Sequence, residues 1–405
     1  MANSILTIDM ITRAAVSLFK NSNMFIQNID TQYDSQFAVD GAKIGDSLRI
    51  RLPNDYTVRT GTALQAQDTA EQYTSLNLAT QKGVDVSFST AERTMKLDDY
   101  SQRVLMPMIN NLAGAVAYDV MSGVEGGVCN FVSNQDGANN IISPTADTAL
   151  QAKSALESNS APQMPGRKIV VDEYTEARIV STLSGLFNPS QEISQQYRTG
   201  SMKNALSFDW YMDQTVVKHT TGTFSAGGTV NGAGQTGSTI TVNAITGTFT
   251  KGDIITIAGV YAVNRVTKQT TGKLRQFVVT ADVASGATSI PIYPAIVPSN
   301  GGQAVQYQTV TDSPANAAAV ALVSKPSEIY RKNIAYAPEA VTLATADLVL
   351  PKGVHEAARR EQDGISLRMI TAYVVGTDQL ATRLDVIYGY KFVRPEWACV
   401  LADKI

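Results

Sequence analysis

The decapeptide KGDIITIAGV, residues 251–260, places a turn directly before a run of strand-forming residues and ends just after a second glycine. The same character extends through residues 222–312, where glycine, threonine, serine, valine, isoleucine and alanine dominate. No glutamate occurs between residues 193 and 327, although the chain uses it regularly on both sides. Glutamate favours helices, whereas threonine, valine and isoleucine favour strands. The composition therefore predicts a compact all-β insertion within a mixed α+β protein.

Short strands separated by glycine-containing turns are predicted throughout this insertion. Turns are indicated at residues 251–253 and 271–273. The predicted strands cover residues 239–242, 254–258, 274–280, 289–293 and 304–311. Five or six strands at this spacing are typical of a small barrel or sandwich.

Two amphipathic segments near the N-terminus have no evident partner within the chain. Residues 5–20 repeat apolar side chains at three- and four-residue steps, which predicts a helix, and residues 21–45 read as an extended connector. Residues 46–90 alternate apolar and polar side chains, which predicts a long hairpin with a polar tip. Because a two-stranded ribbon is marginally stable alone, we expect the helix and the ribbon to bury their apolar faces on neighbouring copies of the chain.

A long helix is predicted over residues 98–122. Its apolar stripe consists of Leu105, Ile109, Leu112, Val116 and Val120. Pro107 predicts that the main helix starts or kinks nearby. Asp98 and Asp99 suit a helix cap better than a metal-binding carboxylate pair. Further along, we predict a strand at 168–172, a helix at 173–187 and sheet strands at 339–350, 366–375 and 384–393.

Length and composition limit the possible functions. The 405 residues predict two or three domains. The 17% charged fraction is low for a free monomer with 44% hydrophobic residues, so part of the surface is expected to contact other chains. The net charge of −3 gives no electrostatic reason to bind nucleic acid. Cys129 and Cys399 are predicted to be reduced thiols. We expect no leader and no membrane span, and cytoplasmic synthesis.

Motifs for catalysis or ligand binding are weak. Residues 232–237, GAGQTG, match the dinucleotide pattern, but β-branched residues follow where that motif requires a helix. His355 and Glu356 begin like a zinc-protease helix, but Arg359 stands where the second histidine is required. His219 is the other histidine, and a solvated or structural role is predicted for both. We therefore predict no cofactor, no metal and no catalytic residue, and a protein that is not an enzyme.

The predicted hairpin carries three arginines, Arg49, Arg51 and Arg59, and five acids, Glu71 among them. The arginines could contact a nucleic-acid backbone, but no aromatic residues alternate with them and acids lie nearby. Contacts with an acidic protein surface, or plain solvation, are favoured. These four residues are therefore our candidates for contacts between subunits.

The order of predicted elements, from N-terminal arm to α/β domain interrupted by a β insertion, resembles a known family. Local matches are found at 81–86, 97–101, 251–260, 388–389 and 394–396. The chain resembles the major capsid (coat) proteins of tailed bacteriophages with the HK97-like fold. More narrowly, it is similar to the coat proteins of short-tailed phages that carry an inserted β-barrel domain.

The resemblance implies an α+β HK97-like fold with an N-terminal arm, an extended hairpin (the E-loop), a peripheral and axial domain with a spine helix, and an inserted barrel. The corresponding segments are 1–45, 46–90, 91–221, 222–312 and 313–405, the third and fifth sharing the peripheral and axial domain. The scaffold contacts the arm in this family, so Asp9 becomes the candidate scaffold contact. The stretch 223–237 carries no charge, which leaves open whether it reaches another capsomer as charged loops of some inserts do.

The implied function is a major capsid protein. It would assemble into hexamers and pentamers of an icosahedral procapsid that expands on DNA packaging. The implied partners are further copies of the chain, a scaffolding protein, a portal protein and a decoration protein, with double-stranded DNA enclosed without sequence-specific binding and no membrane. The expected location is the virion, after assembly in the host bacterial cytoplasm. The alternatives are an extracellular β-rich surface-layer protein or adhesin, and an enzyme with an unrecognised site.

Overall fold

The computed structural model describes residues 8–34, 47–52, 56, 61–62, 64, 72–89, 105–163, 166–182, 202–299, 305–376 and 379–405. Its helices are α1 Ile8–Ser22, α2 Met24–Gln27, α3 Met106–Ser122, α4 Val124–Gly127, α5 Ala146–Ser158 and α6 Glu173–Thr182. Among these residues, no helix has the length and apolarity needed to cross a bilayer. The predicted cap residues Asp98 and Asp99 lie outside the described residues.

The strands outnumber the helices and fall into two compact units of the chain. In chain order they are β1 Asp30–Asp34, β2 Ser47–Leu52, β3 Gln72–Asn77, β4 Thr80–Ser89, β5 Asn130–Gln135, β6 Ile141–Ile142, β7 Lys168–Val171, β8 Asn204–Ala205, β9 Phe208–Met212, β10 Lys218–Thr220, β11 Ala226–Gly227, β12 Gly237–Thr241, β13 Ile245–Thr246, β14 Ile254–Val263, β15 Thr270–Val279, β16 Ser289–Ile296, β17 Val320–Leu322, β18 Ile329–Tyr336, β19 Val341–Ala346, β20 Glu356–Gln362, β21 Ile365–Val374, β22 Gln379–Phe392 and β23 Ala398–Lys404.

The first unit is drawn from residues 1–51, 73–120 and 341–393. Its main sheet has the order β1-β19-β22-β21-β20, and β4 pairs with the long strand β22. The β4–β22 ladder is antiparallel and runs from Ser89 opposite Gln379 to Thr80 opposite Tyr388. The predicted strand at 84–88 therefore exists, but it belongs to this sheet and does not pair with the ribbon.

Helix α3 confirms the long helix predicted from the apolar stripe. All five stripe residues are at most 3% exposed. Pro107 is the second residue of α3, near the start that this proline predicted for the main helix. The stripe spacing thus identified both the helix and its buried face.

Helix α1 covers part of the same sheet. It packs against β20 and β21, and Ala15, Val16 and Phe19 are 0–1% exposed. The prediction that the N-terminal helix needs a neighbouring copy to bury its apolar face is therefore wrong. The error arose because the strands that cover it lie more than 300 residues further along the chain.

The connector predicted at 21–45 has regular structure in its first half. Asn23 caps α2, and its Oδ1 accepts hydrogen bonds from the amides of Phe25 and Ile26 at 2.9 and 3.0 Å. Strand β1 then pairs in parallel with β19 at the edge of the sheet. The prediction of an extended connector is wrong for residues 24–27, which are helical, whereas residues 30–34 are extended but belong to a sheet.

The second unit is drawn from residues 52–72, 121–340 and 394–405. Its larger sheet has the order β6-β5-β23-β18-β7-β9-β8, and β10 pairs with β18. Apolar residues of α5, including Ala149, Ala152 and Leu156, pack with Ile169 and Leu401 of this sheet. Predicted strand 168–172 and the start of predicted helix 173–187 are confirmed by β7 and α6.

The insertion forms a five-stranded sheet in the order β12-β16-β15-β14-β17, with β11 and β13 paired beside it. Fully buried Ile255, Ile257, Phe277 and Ile290 belong to its own apolar core. Strand β17 contributes to this sheet although it lies beyond residue 312, where the predicted insertion ended.

Two local predictions inside the insertion are wrong. A strand is predicted at 304–311, but 305–307 form a short 3-10 helix, and among the described residues of this segment only Val310 makes a β-bridge, with Ala262. The turn expected at 271–273 lies within β15, where Gly272 has a φ of +73°. The hairpin instead reverses between Asn264 and Gln269. The glycine that suggested a turn, Gly272, accommodates an irregularity in the pairing of β15 with β14.

Candidate assembly interface

The base of the ribbon β2–β3 is anchored on the first unit. Leu76 and Leu78 are 1% and 0% exposed and belong to an apolar cluster with Ala344, Ala346 and Ile387. Leu48 and Ile50 of β2 pack against the same cluster. The prediction that no segment of the chain covers the ribbon's apolar face is therefore wrong at the base.

Gly389 is where the ribbon makes its closest approach to strand β22. A β-carbon at this position would overlap the carbonyl oxygen of Asn77, the last residue of β3. It would also stand 2.9 Å from the carbonyl carbon of Asn77 and from Leu76 Cδ2. Only glycine therefore allows β3 to cross β22 at this distance.

The arginines of β2 lie on the exposed part of the ribbon. The guanidinium of Arg49 lies 4.8 Å from the ring centroid of Tyr73 on the paired strand, and Tyr73 is 59% exposed. Arg51 is also exposed. Arg59 and Glu71 lie outside the described residues. Leu64, in the segment between the two strands, is 87% exposed.

Asp9 is engaged within its own unit. The Arg360 guanidinium of β20 donates a hydrogen bond to the Asp9 carboxylate, and this contact lowers the pKa of Asp9. At the other end of α1, Lys20 Nζ lies 3.1 Å from the Asp363 carboxylate. Two ion pairs thus join the ends of α1 to the β20–β21 hairpin.

A polar clamp joins helix α3 to the sheet of the first unit. The Tyr388 hydroxyl donates to the Asp119 carboxylate, and Lys82 Nζ lies 2.6 Å from the same carboxylate. Burial raises the pKa of Tyr388, and the bond to Asp119 raises it further. No sequence pattern predicts this clamp, because its members come from three distant segments.

The insertion joins the rest of the second unit through a buried His–Asp pair. His219 on β10 contacts Asp253 at 2.8 Å, and the two residues are 1% and 0% exposed. Asp253 also accepts hydrogen bonds from the amides of Gly222 and Thr250. The structural role predicted for His219 is therefore borne out by its geometry, and its partner was not predicted.

A second connection between the insertion and the rest of the unit is made by a side chain that hydrogen-bonds a backbone as a neighbouring strand would. The Gln276 amide accepts a hydrogen bond from the Phe131 N–H at 2.8 Å and donates one to its carbonyl at 2.9 Å. Lys332, 2% exposed, donates to the Gly252 carbonyl beside the His–Asp pair. These contacts tie β15 and the turn before β14 to β5 and β18.

Neither weak motif has the context that its chemistry requires. Residues 232–237 form a loop with positive φ at all three glycines and lead into β12. His355 precedes strand β20, which contains Glu356 and Arg359, so no zinc-protease helix exists there. In the described part of the chain, no three His, Cys, Asp or Glu residues converge as metal ligands would. Cys129 and Cys399 are buried free thiols, and burial raises the pKa of both.

Comparisons with known proteins were made for the whole chain. The family model described as "P22 coat protein - gene protein 5" matches residues 2–401. Matching solved structures include the capsid of cyanophage P-SCSP1u, at 11% identity and TM-score 0.47 over 94% of this chain and 88% of that one. The capsid of Ralstonia phage GP4 matches at 8% identity and TM-score 0.44, over 93% and 87%. The CUS-3 coat protein I-domain matches at 39% identity and TM-score 0.18, over 22% and 73%. No curated protein gives a significant match.

The element order and the family match define a bacteriophage capsid protein with the HK97-like fold that the sequence predicted. The chain belongs to the P22 coat protein family, since the family model covers residues 2–401 of 405. It is a major capsid protein, its place is the virion, and its shell is built from copies of itself. Nothing in the comparisons favours a surface-layer protein or an adhesin.

Proposed function

We propose that the protein forms hexamers and pentamers of an icosahedral procapsid, which expands when double-stranded DNA is packaged. The ribbon β2–β3 carries this proposal, because its base is anchored while its two strands pair only with each other among the described residues. Open strand edges favour pairing with another chain. The ribbon would lie over a neighbouring subunit, where Arg49, Arg51, Arg59 and Glu71 are the candidate contacts.

Deletion of residues 55–72 tests this role. The deleted segment lies beyond the anchored leucines of β3, so the subunit should keep its fold by circular dichroism. Particles and capsomers should be lost in negative-stain microscopy and sedimentation. A matched control is the same analysis of a chain in which residues 55–72 are replaced by a glycine-serine linker of equal length. Normal particles from the deleted chain would refute the role of the ribbon.

We also propose that assembly requires a scaffolding protein and a portal protein in the host cytoplasm, that a decoration protein binds the shell, and that the chain has no enzymatic activity. Asp9 remains the candidate scaffold contact. Because Arg360 already binds its carboxylate, a basic scaffold residue would have to compete with Arg360. Co-expression with and without a candidate scaffold, followed by particle counting, tests this requirement.

The insertion is proposed to be a folding unit with its own core, bounded near residues 221 and 328. The Thr221 amide donates to the Glu328 carbonyl, and the Ser327 amide donates to the Gly222 carbonyl, so the two connections run side by side. Glu328 is also the first glutamate after the glutamate-free stretch. A chain with residues 223–326 replaced by a two-residue turn should therefore keep the β10–β18 pairing but fold less efficiently.

A further inference from the structure

A cavity of about 380 Å³ lies in the second unit between helix α5, strand β5 and the β14–β15 hairpin. Its wall includes two cations, Lys273 and Arg275, and hydroxyl and amide side chains of α5 and β5. None of the described residues that form the wall is an aspartate or a glutamate. The volume falls within the range of small-ligand pockets, which is about 300–1,000 Å³.

Arg275 is a buried cation without a full set of partners. It is 8% exposed, and its Nε has no hydrogen-bond partner among the described residues. Its Nη2 donates only a weak bond of 3.7 Å to the Cys129 thiol. A buried charge that lacks an opposite charge costs free energy, so this arrangement favours an anion at the cavity.

The carboxylate in this region is already engaged. Glu396 accepts from Arg265 Nη1 at 2.7 Å and from the Tyr293 hydroxyl at 3.3 Å. Among the described residues, neither Lys273 nor Arg275 forms an ion pair. No described carboxylate therefore lies at ion-pair distance from either cation.

We propose that this cavity binds a small oxyanion, of the phosphate or carboxylate class, through Arg275 and Lys273. A guanidinium presents parallel N–H donors that match two oxygens of such a group, and the Lys273 ammonium adds a second charge. The Ser154 hydroxyl of α5 lines the same wall and can donate to a third oxygen. Because the wall combines residues of α5, β5 and the insertion hairpin, the bound anion would tie these elements together.

The test uses the full-length unassembled protein, with inorganic phosphate as the first probe and citrate as the second. Thermal unfolding is measured at constant ionic strength set with chloride. At ten times the Kd, an anion that binds only the folded state should raise Tm by about 2–3 °C. The shift should grow with the logarithm of the anion concentration above Kd, whereas the general effect of excluded salts grows roughly linearly with concentration. The probe that gives the logarithmic shift identifies the class of anion.

Three variants distinguish a site from a general salt effect. Lys273→Met should weaken phosphate or citrate binding about tenfold or more by calorimetry. Arg275→Met should abolish it, and its Tm in chloride should equal or exceed that of the wild type, because an unpaired buried charge is removed. Lys352→Met makes the same charge change at an exposed site in the first unit and should bind normally.

Equal Tm shifts in the wild type and all variants would overturn the proposal, as would the lack of saturable binding of both probes in calorimetry. If Arg275→Met does not fold, the comparison of Lys273→Met with Lys352→Met decides the question.

Discussion

The substitution Gly389→Ala tests the anchoring of the ribbon. The added methyl group would overlap the Asn77 carbonyl oxygen and stand 2.9 Å from Leu76 Cδ2. Ordinary contacts at a β-carbon begin near 3.4 Å, so β3 must move away from β22. The obstructing oxygen belongs to the backbone and cannot avoid the methyl group by changing a rotamer.

The size of the effect follows from two opposing contributions. Forcing an extra methyl group into a packed contact costs about 1–3 kcal/mol. Replacing glycine in a strand interior recovers about 0.5–1 kcal/mol. Detaching Leu76 and Leu78 altogether would cost about 1.5–3 kcal/mol each, which exceeds the strain. We therefore expect a shifted but attached ribbon, and a free energy of unfolding lower by about 1–2 kcal/mol.

The assay combines urea unfolding of the subunit with sedimentation of assembly reactions. Gly389→Ala should remain folded but assemble poorly, since the ribbon leaves the sheet in a different direction. Gly114→Ala is the matched control, because a β-carbon there meets no atom within 4 Å. That variant should gain about 1 kcal/mol from helix propensity and assemble normally. Wild-type stability and assembly of Gly389→Ala would refute the reasoning.

Three further predictions concern charged groups. Gly83→Ala should lower the free energy of unfolding by about 2–4 kcal/mol, since its methyl group displaces the Asp385 carboxylate, which is 1% exposed; an unchanged Tm would contradict this. Arg360→Ala should return the pKa of Asp9 toward its ordinary value and increase proteolysis of α1, and NMR titration and limited proteolysis measure both; an unchanged titration would count against the ion pair. For Asp172, burial raises the pKa from 3.8 to about 6, so the folded state binds more protons across that window and stability falls as pH rises through it. Asp172→Asn should remove this loss. The free energy of unfolding of the variant minus that of the wild type should therefore be larger at pH 7 than at pH 4. Unfolding curves that give the same difference at both pH values would exclude the effect.

Local patterns in the sequence predicted which helices and strands form better than they predicted which elements pack against each other. The stripe of α3 and the alternation of β2 and β3 identified which faces are apolar, because helix and strand periods follow from local geometry. They could not identify what covers those faces. Strand β4 pairs with β22 some 300 residues away, and Asp9 pairs with Arg360 across 351 positions.

The same limit explains the error at the end of the insertion. The strand Val320–Leu322 lies within residues 313–405, which the resemblance assigned to the peripheral and axial domain. Membership in the insertion sheet depends on pairing with β14, more than 60 residues earlier. The absence of glutamate up to residue 327 was the better guide, because it reflects the composition of the whole insertion.

The buried base of the ribbon and the packed α1 change the expected energetics of assembly. If these segments became ordered only on a neighbour, each contact between subunits would have to offset about 1–2 kcal/mol of backbone entropy per residue. Here contacts within the subunit order α1 and the ribbon base. The backbone entropy of these segments is therefore lost when the subunit folds and not when subunits associate. Each contact in the shell can then be weak, because closed symmetry repeats it many times. Weak, repeated contacts between preformed surfaces also allow a shell to change its packing without unfolding its subunits, which is what the proposed expansion requires.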